Sequence, residues 1–183
     1  MFWSDTFYFV KLSKKLTMTN FFNQQGLAPQ VIAFESDDDK DYLLTSAIQG
    51  EDGISGEHLS NPEKLAEVYG RSLRKIHALP TEKCPFQRRM DEMINEAIEN
   101  AGTVIDADII PEGTTKAIES LHELKHLAVN DTVIHGDYCL PNIIMDNFQL
   151  KEFVDLGSGG VGDRHWDLFW GIWALKNNLN TDK

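Results

Sequence analysis

Apolar residues in the first part of the chain occur in short runs that alternate with polar stretches. The runs at residues 7–12 (FYFVKL), 30–35 (QVIAFE) and 41–48 (DYLLTSAI) are bounded by polar or turn-forming residues, which predicts three strands. The run at 16–25 (LTMTNFFNQQ) predicts a short helix, which Gly26 is expected to end. The start of the chain is therefore predicted to combine strands with one helix.

A helix with a strong start signal is predicted from Asn61 onward. Asn61 is a favourable N-cap residue, and Pro62 suits the first helical position. The apolar stripe that follows consists of Leu65, Tyr69, Leu73 and Ile76. Later patterns predict helices over about 87–100 and 114–127, strands near 132–134, 143–146 and 150–154, and a final helix from Arg164. This order predicts an α+β fold with two lobes and a hinge near residues 46–53.

The final predicted helix carries aromatic residues at helical spacing. The stripe consists of Trp166, Phe169, Trp170 and Trp173. One apolar helix face of this kind is more typical of core packing than of a ligand site. We therefore interpret the stripe as a core face that needs another segment to cover it.

The charge of the chain narrows the classes of partner. The 183 residues carry a formal net charge of −12, from 29 acidic and 17 basic side chains. This charge disfavours a nucleic-acid partner, which would need a basic surface, and suits a cationic small molecule drawn into a negative cleft. An acidic surface that only keeps the protein in solution explains the charge alone at least as well.

The sequence also bears on location. No apolar run is long enough to cross a membrane, and the N-terminal residues lack the pattern of a secretory signal peptide. Cys84 and Cys139 are isolated and have no metal-ligand spacing, and two free thiols fit a reducing cytoplasm. A single disulfide between them stays open at this point. We expect a cytoplasmic protein without a membrane partner.

The stretch 133–146 (VIHGDYCLPNIIMD) points most clearly to chemistry. An apolar strand leads to Asp137, Asn142 begins the next strand, and Asp155 follows the strand after that. If these two strands form a hairpin, Asn142 and Asp155 meet at its open end beside the loop that carries Asp137. Mg²⁺ binds through one or two carboxylates together with phosphate oxygens, and phosphoryl transfer needs a carboxylate that accepts a proton. Each residue alone is also an ordinary turn or cap residue, but the combined spacing predicts a phosphoryl-transfer site.

Three glycines after Asp155 raise an alternative. Gly157, Gly159 and Gly162 match the G-x-G-x-x-G spacing of a dinucleotide-binding turn. Such a turn lies early in a βαβ unit, whereas only a predicted helix and a polar tail follow Gly162. We interpret the match as coincidental and expect the glycines to let the backbone pass close to metal and phosphates.

The motifs at 135–142 (HGDYCLPN) and 154–167 (VDLGSGGVGDRHWD) resemble those of the aminoglycoside phosphotransferases, especially the 3′-type enzymes. A looser resemblance extends over residues 7–183. It implies a protein-kinase-like two-lobed α+β fold. The expected lobes are an incomplete N-terminal β lobe at 1–48, which binds nucleotide, and a mainly helical C-terminal lobe at 49–183, which carries the catalytic and metal-binding loops.

The resemblance implies ATP-dependent phosphorylation of a hydroxyl group on an aminoglycoside antibiotic, and hence antibiotic resistance, with ATP and Mg²⁺ as cofactors. It implies that Asp137 is the catalytic base and that Asn142 and Asp155 hold magnesium. The other implied contacts are Lys11 for the phosphates, backbone groups of Ser46 and Ile48 for adenine, and Asp106, Asp108 and Glu112 for the ammonium groups of the substrate. Asp163 and Asp167 match later acids of the family, and we interpret them as structural residues that brace the loop and the helix start.

The chain also departs from the family pattern. The glycine-rich loop that covers the phosphates, and the strands that form it, have no counterpart, and family members continue beyond Lys183. The lysine of the family pairs with a helix glutamate, but no acid occurs between Asp5 and Glu35, and Lys15 lies near the expected place. We therefore expect a family member truncated at both ends.

Two other functions stay open from the sequence. One is a kinase of another small alcohol, of the choline or homoserine type, because such relatives share the same loop residues. The other is an inactive, truncated remnant of the family. The sequence does not indicate an oligomeric state.

Overall fold

A computed structural model of the chain describes residues 5–37, 40–100 and 113–179, of which 5–13 are described by their backbone alone. Helices and short antiparallel strands are mixed along these ranges, as expected for an α+β fold. None of the helices within the described residues combines the length and the apolar character that a membrane span requires.

The first helix, α1, covers Asp5–Gln24, so the strand predicted over 7–12 is wrong. Aromatic and β-branched residues favour a strand there, but no glycine or proline interrupts the stretch and a single helix extends through it. Met18 and Phe22, one turn apart, are fully buried. This packing holds α1 on the core, and the helix predicted at 16–25 is its C-terminal part.

The next two strands form a hairpin as predicted. β1 (Val31–Ser36) pairs antiparallel with β2 (Asp41–Thr45), with an irregularity between Val31 and Ala33. At the turn, the Lys40 N–H donates to the Asp37 carboxylate over 2.7 Å. This hydrogen bond between neighbouring residues stabilises the turn of the hairpin. The hairpin packs against α1.

The helix predicted from Asn61 is confirmed. A short helix, α2 (Gly56–Leu59), precedes α3 (Pro62–His77), whose Lys64 N–H donates to the Asn61 side-chain oxygen over 3.2 Å. All four residues of the predicted apolar stripe are buried: Leu65, Tyr69, Leu73 and Ile76. The cap and the stripe together fix where α3 begins and which face packs inward.

Two further helices and two small sheets complete the middle of the chain. The helices are α4 (Arg89–Asn100) and α5 (Thr114–Leu124). One sheet has the strand order β3 (Glu51–Asp52), β5 (Ile143–Asp146), β6 (Gln149–Phe153), and the other pairs β4 (Thr132–Ile134) with β7 (Gly160–Gly162). All pairs among the described strands are antiparallel, so these strands contain no βαβ unit and the dinucleotide-binding alternative fails.

The last helix, α6 (Arg164–Leu179), does not bury its aromatic stripe. Phe169 is 61% exposed and Trp173 is 50% exposed, so no segment within the described residues covers the stripe, as expected for a face that needs another segment to cover it. The buried face instead carries small residues such as Gly171 and Ala174. A Cβ atom at Gly171 would lie 3.2 Å from the Tyr138 ring, so the small residues let α6 approach the core closely.

The core lies between α1, α3 and the two small sheets. Its largest fully buried side chains are Tyr138, Phe22, Phe153, Met18, Leu65, Ile76, Ile134, Leu140, Ile143, Met145, Leu156 and His58. Several of them immediately adjoin the predicted site residues, so the site is built directly on the core. The division into lobes after residue 48 stays a prediction.

Candidate active site

The loop that carries Asp137 is held by a buried carboxylate from α6. Asp167 is fully buried and accepts the His135 N–H over 2.8 Å and the Gly136 N–H over 2.9 Å. The His77 Nε2–H donates to the same carboxylate over 3.3 Å. The interpretation of Asp167 as a brace for this loop is therefore confirmed, and Asp163 caps the start of α6 through the His165 N–H.

The residue after Asp137 fixes the loop from its other side. The hydroxyl of Tyr138 donates to the Tyr69 carbonyl over 2.6 Å, and the hydroxyl of Tyr69 donates to the Tyr138 carbonyl over 2.9 Å. The ring centroids are 4.5 Å apart. This reciprocal pair ties the loop to α3, because both hydroxyls are buried and each satisfies a backbone carbonyl.

His135 links the loop to the end of β6. Its Nε2 lies 3.1 Å from the Val154 carbonyl oxygen, and its Nδ1 lies 3.3 Å from the Asp137 N–H. A carbonyl only accepts, so Nε2 carries the proton and Nδ1 accepts. Complete burial lowers the pKa of His135, against the opposing effect of the Asp167 carboxylate, and this agrees with the neutral ring that the two contacts require.

Asn142 directly contacts Asp137. Its Nδ2 donates to the Asp137 carboxylate and to the Asp137 carbonyl, both over 3.0 Å, and lies 3.1 Å from the Cys139 sulfur. Both oxygens are acceptors, which assigns the amide nitrogen to the Asp137 side. The amide oxygen of Asn142 makes no hydrogen bond within the described residues, and it is the atom that a hard cation would bind.

Asp155 is brought beside Asn142 by the β5–β6 hairpin. Ile143 pairs with Phe153, and the Val154 N–H donates to the Asn142 carbonyl over 3.0 Å. Asp155 itself has a left-handed backbone, with φ 57° and ψ 49°. Aspartate tolerates this conformation better than most residues, and such positions concentrate at functional sites.

These placements fit a magnesium ion completed by phosphates. The Asn142 amide oxygen and the Asp155 carboxylate are oxygen ligands from adjoining backbone positions, and Mg²⁺ takes few protein ligands, with water and substrate phosphates filling the rest. Among the described residues, no group of three or more His, Cys, Asp and Glu side chains could enclose a metal alone. Two oxygen ligands suit an ion that completes its coordination with water and substrate phosphates.

A cleft of about 320 Å³ opens beside Asp155, between α1, the β1–β2 hairpin and the end of β6. It is lined by Lys15, Thr19, Pro29, Asp41, Leu43, Thr45, Phe153, Val154 and Asp155. Its volume is at the lower end of the range for small-molecule sites, about 300–1,000 Å³. The predicted hinge residue Ser46 directly follows Thr45 of this lining.

The two predicted adenine contacts lie at the end of β2. The Ser46 N–H donates to the Gln30 carbonyl over 2.9 Å, and the Ser46 hydroxyl oxygen accepts a hydrogen bond from the Gln30 N–H over 3.0 Å. The Ser46 carbonyl and the Ile48 N–H have no hydrogen-bond partner within the described residues, so each of the two residues has a backbone group available. Their role stays a prediction.

The structure does not support the phosphate contact predicted from the sequence, and the predicted substrate contacts lie outside the described residues. Lys11 lies in helix α1 and not on a strand, so the geometric reason for its phosphate contact is lost. Asp106, Asp108 and Glu112 lie outside the described residues, and their contact with substrate stays a prediction.

Two of the three glycines of the G-x-G-x-x-G match, Gly159 and Gly162, serve the packing of the protein itself. A Cβ atom at Gly159 would lie 2.8 Å from the Met18 methyl carbon, and one at Gly162 would lie 2.6 Å from Ile134 Cδ1. The expectation that these two glycines make room for metal and phosphates is therefore wrong. Gly159 lets α1 approach the loop closely, and Gly162 leaves room for the Ile134 side chain of β4 beside β7.

Sequence reasoning missed two basic side chains that contact the segment from Asp155 onward. Lys15 Nζ lies 2.8 Å from the Asp155 carboxylate, and the buried Arg89 donates from Nε to the Ser158 carbonyl over 3.1 Å. The one available signal was the position of Lys15 near the place of a family glutamate. No local pattern marks Arg89.

The profile of the phosphotransferase enzyme family matches residues 8–181, and the chain belongs to this family. Among curated relatives, it is 38% identical over 177 residues to a probable aminoglycoside 3′-phosphotransferase of Lactococcus lactis, covering 94% of this chain and 68% of the relative. It is 33% identical over 161 residues to an aminoglycoside 3′-phosphotransferase of Niallia circulans, covering 85% and 61% respectively.

Solved structures give the same result. The aminoglycoside phosphotransferase APH(3'')-Id from Streptomyces rimosus matches with a TM-score of 0.77 and 25% identity, over 96% of this chain and 69% of that one. An aminoglycoside 3′-phosphotransferase of type VIII matches with a TM-score of 0.74 and 25% identity, over 93% and 67%. The predicted family and the kinase-like α+β fold are confirmed. The chain spans about two thirds of the length of the relatives it matches.

Proposed function

We propose that the chain is an ATP-dependent phosphotransferase that phosphorylates a hydroxyl group of an aminoglycoside. One observation carries the proposal: Asp137 is hydrogen-bonded to Asn142, and Asn142 is backbone-paired beside Asp155 at the edge of a cleft. The names of the curated relatives and the net charge of −12, which suits a polycationic substrate, support it.

In the proposed reaction, the substrate hydroxyl oxygen forms a bond to the γ-phosphorus of ATP. The bond between that phosphorus and the bridging oxygen breaks, and ADP leaves with its electron pair. The hydroxyl proton passes to the Asp137 carboxylate, which the Asn142 amide orients through its donated hydrogen bond.

Asn142 and Asp155 are the residues that would hold magnesium, which when bound neutralises charge on the phosphates. Some structural neighbours are complexes with nucleotides: one holds ADP and hygromycin B, one AMP-PNP and hygromycin B, and one GDP and kanamycin. These complexes support a nucleotide and an aminoglycoside as ligands of this chain. A cytoplasmic location, where ATP is supplied, is part of the proposal and fits the two free thiols, Cys84 and Cys139.

The test is phosphorylation of kanamycin with ATP and Mg²⁺, followed by mass spectrometry of the product. We expect turnover by the wild-type chain and a loss of about 10²–10⁴-fold in Asp137→Asn, because a general base is removed. Asp146→Asn, at the far end of β5, is the matched control and should retain activity. Phosphorylation of choline but not kanamycin would favour the other kinase class, and absence of turnover by the wild-type chain would favour the inactive remnant.

A further inference from the structure

Helix α1 presents two neighbouring lysines to different partners. Lys14 Nζ lies 2.7 Å from the Glu92 carboxylate and 5.7 Å from the centre of the Phe86 ring. Lys15 Nζ lies 2.8 Å from the Asp155 carboxylate. Successive residues of a helix point about 100° apart, so only Lys15 of this pair is directed at the cleft.

The cleft has one positive group among its described lining residues. Of the nine residues that line it, Lys15 is the one cation, beside the carboxylates of Asp41 and Asp155. Thr19, one turn further along α1, lines the same wall. A nucleotide in this cleft would bring phosphates next to Asp155, and Lys15 is the group available to meet their charge.

The contact between Lys15 and Asp155 is suited to exchange. The Lys15 side chain is 34% exposed and that of Asp155 is 54% exposed, so water competes for both charges. The four-carbon stem of lysine lets its ammonium group shift by several ångströms, and lysine binds phosphate as a point charge. The part of α1 around Met18 stays in place when the Lys15 ammonium group shifts, because Met18 packs against the loop at Gly159.

We propose that Lys15 contacts the phosphates of the bound nucleotide and that, before the nucleotide arrives, it pairs with Asp155. This inference rests on the proposed function. Lys15 thereby supplies from a helix the positive charge that the resemblance assigned to Lys11 on a strand. It also competes with a divalent cation for Asp155 until the phosphates draw the ammonium group away.

The proposal predicts opposite effects of Lys15→Gln on two ligands. Affinity for Mg²⁺–AMP-PNP, measured by calorimetry, should fall about tenfold, because a direct phosphate contact is lost. Affinity of the nucleotide-free chain for Mn²⁺, measured by electron paramagnetic resonance, should rise about three- to tenfold, because Asp155 loses its competing partner. A purely structural role for Lys15 would weaken both.

Three controls locate the contact. Lys14→Gln makes the same charge change one residue away and should leave both affinities within about twofold. Lys15→Arg keeps the charge and should retain most of the nucleotide affinity. Adenosine, which has no phosphate, should bind wild type and Lys15→Gln equally, whereas inorganic triphosphate should lose affinity in the variant.

Each result bears on a definite claim. If the wild-type chain binds Mg²⁺–AMP-PNP and Lys15→Gln binds it within twofold, the role of Lys15 is refuted while the proposed function stands. The role of Lys15 is also refuted, and the proposed function still stands, if Lys14→Gln loses as much affinity for Mg²⁺–AMP-PNP as Lys15→Gln does. If the wild-type chain binds neither AMP-PNP nor inorganic triphosphate, the proposed function fails and the inference fails with it.

Discussion

Replacing Asp167 with asparagine removes a fully buried carboxylate that accepts hydrogen bonds from two backbone amides of the loop that carries Asp137. The His135 and Gly136 N–H groups donate to it over 2.8 and 2.9 Å. The asparagine oxygen can accept one of these bonds, but its NH₂ group cannot accept the other. One buried N–H is then left facing a second donor.

The expected loss in the free energy of unfolding follows from these two hydrogen bonds. A hydrogen bond to a charged group contributes about 1.5–3 kcal/mol, and a buried donor without a partner costs about 1–3 kcal/mol. Relief of the buried charge offsets part of the loss. We therefore expect Asp167→Asn to lower the free energy of unfolding by about 2–4 kcal/mol, and to lower Tm by about 5–15 °C for a chain of this size.

Urea denaturation followed by tryptophan fluorescence measures this loss. Asp146→Asn is the matched control: the Asp146 side chain makes a half-exposed ion pair with Lys151 and accepts an exposed hydrogen bond from the Asn147 amide, so its replacement should change stability by less than about 0.5 kcal/mol. A loss of less than about 0.5 kcal/mol in Asp167→Asn, with an unchanged denaturant slope, would refute the view that this carboxylate holds the loop.

Three further outcomes are expected. Gly136→Ala should unfold the chain or destabilise it by more than about 3 kcal/mol in urea denaturation, because Gly136 has φ 83° and a Cβ atom there would overlap the Ser158 carbonyl. Gly70→Ala is the control: a Cβ atom at Gly70 meets open space, so this change should stabilise α3 by about 0.5–1 kcal/mol. Equal stabilities of the two variants would contradict this expectation. Burial, with the nearby Asp137 carboxylate, raises the pKa of Cys139 to about 12. Alkylation of Cys139 by iodoacetamide should therefore stay slow at pH 8 and accelerate only as the pH approaches 12. Rapid modification of Cys139 at pH 8 would be inconsistent with this environment. Trp173→Glu should reduce light scattering by the concentrated protein and leave the free energy of unfolding within about 0.5 kcal/mol, and a larger loss of stability would show that the exposed stripe is packed after all.

Much of the site could be predicted because its residues are fixed by short-range spacing. Asp137 and Asn142 lie in one loop, and the alternation along β5 and β6 brings Asn142 to Asp155 once those strands form a hairpin. The start of α3 was equally local, since Asn61 caps it through its own side chain. Such features depend on neighbours within a few residues, which the sequence displays directly.

The features that sequence reasoning missed depend on long-range packing. The first residues of α1 have strand-favouring side chains, and their helix is continuous with a segment held by Met18 against the distant loop at Gly159. On α6, the small residue Gly171 faces inward because it permits close approach to Tyr138, and this excludes the large aromatic side chains from the buried face. The pairing of Lys15 with Asp155 likewise joins opposite ends of the chain, and no local pattern connects them.

The most direct test of the proposed site is a crystal structure of the chain with Mn²⁺ and AMP-PNP, with the metal located by anomalous scattering. We predict a peak within about 2.0–2.5 Å of both the Asn142 amide oxygen and the Asp155 carboxylate, with the γ-phosphate on the side of Asp137. A metal bound elsewhere, or held by the nucleotide alone and out of reach of both side chains, would contradict the account.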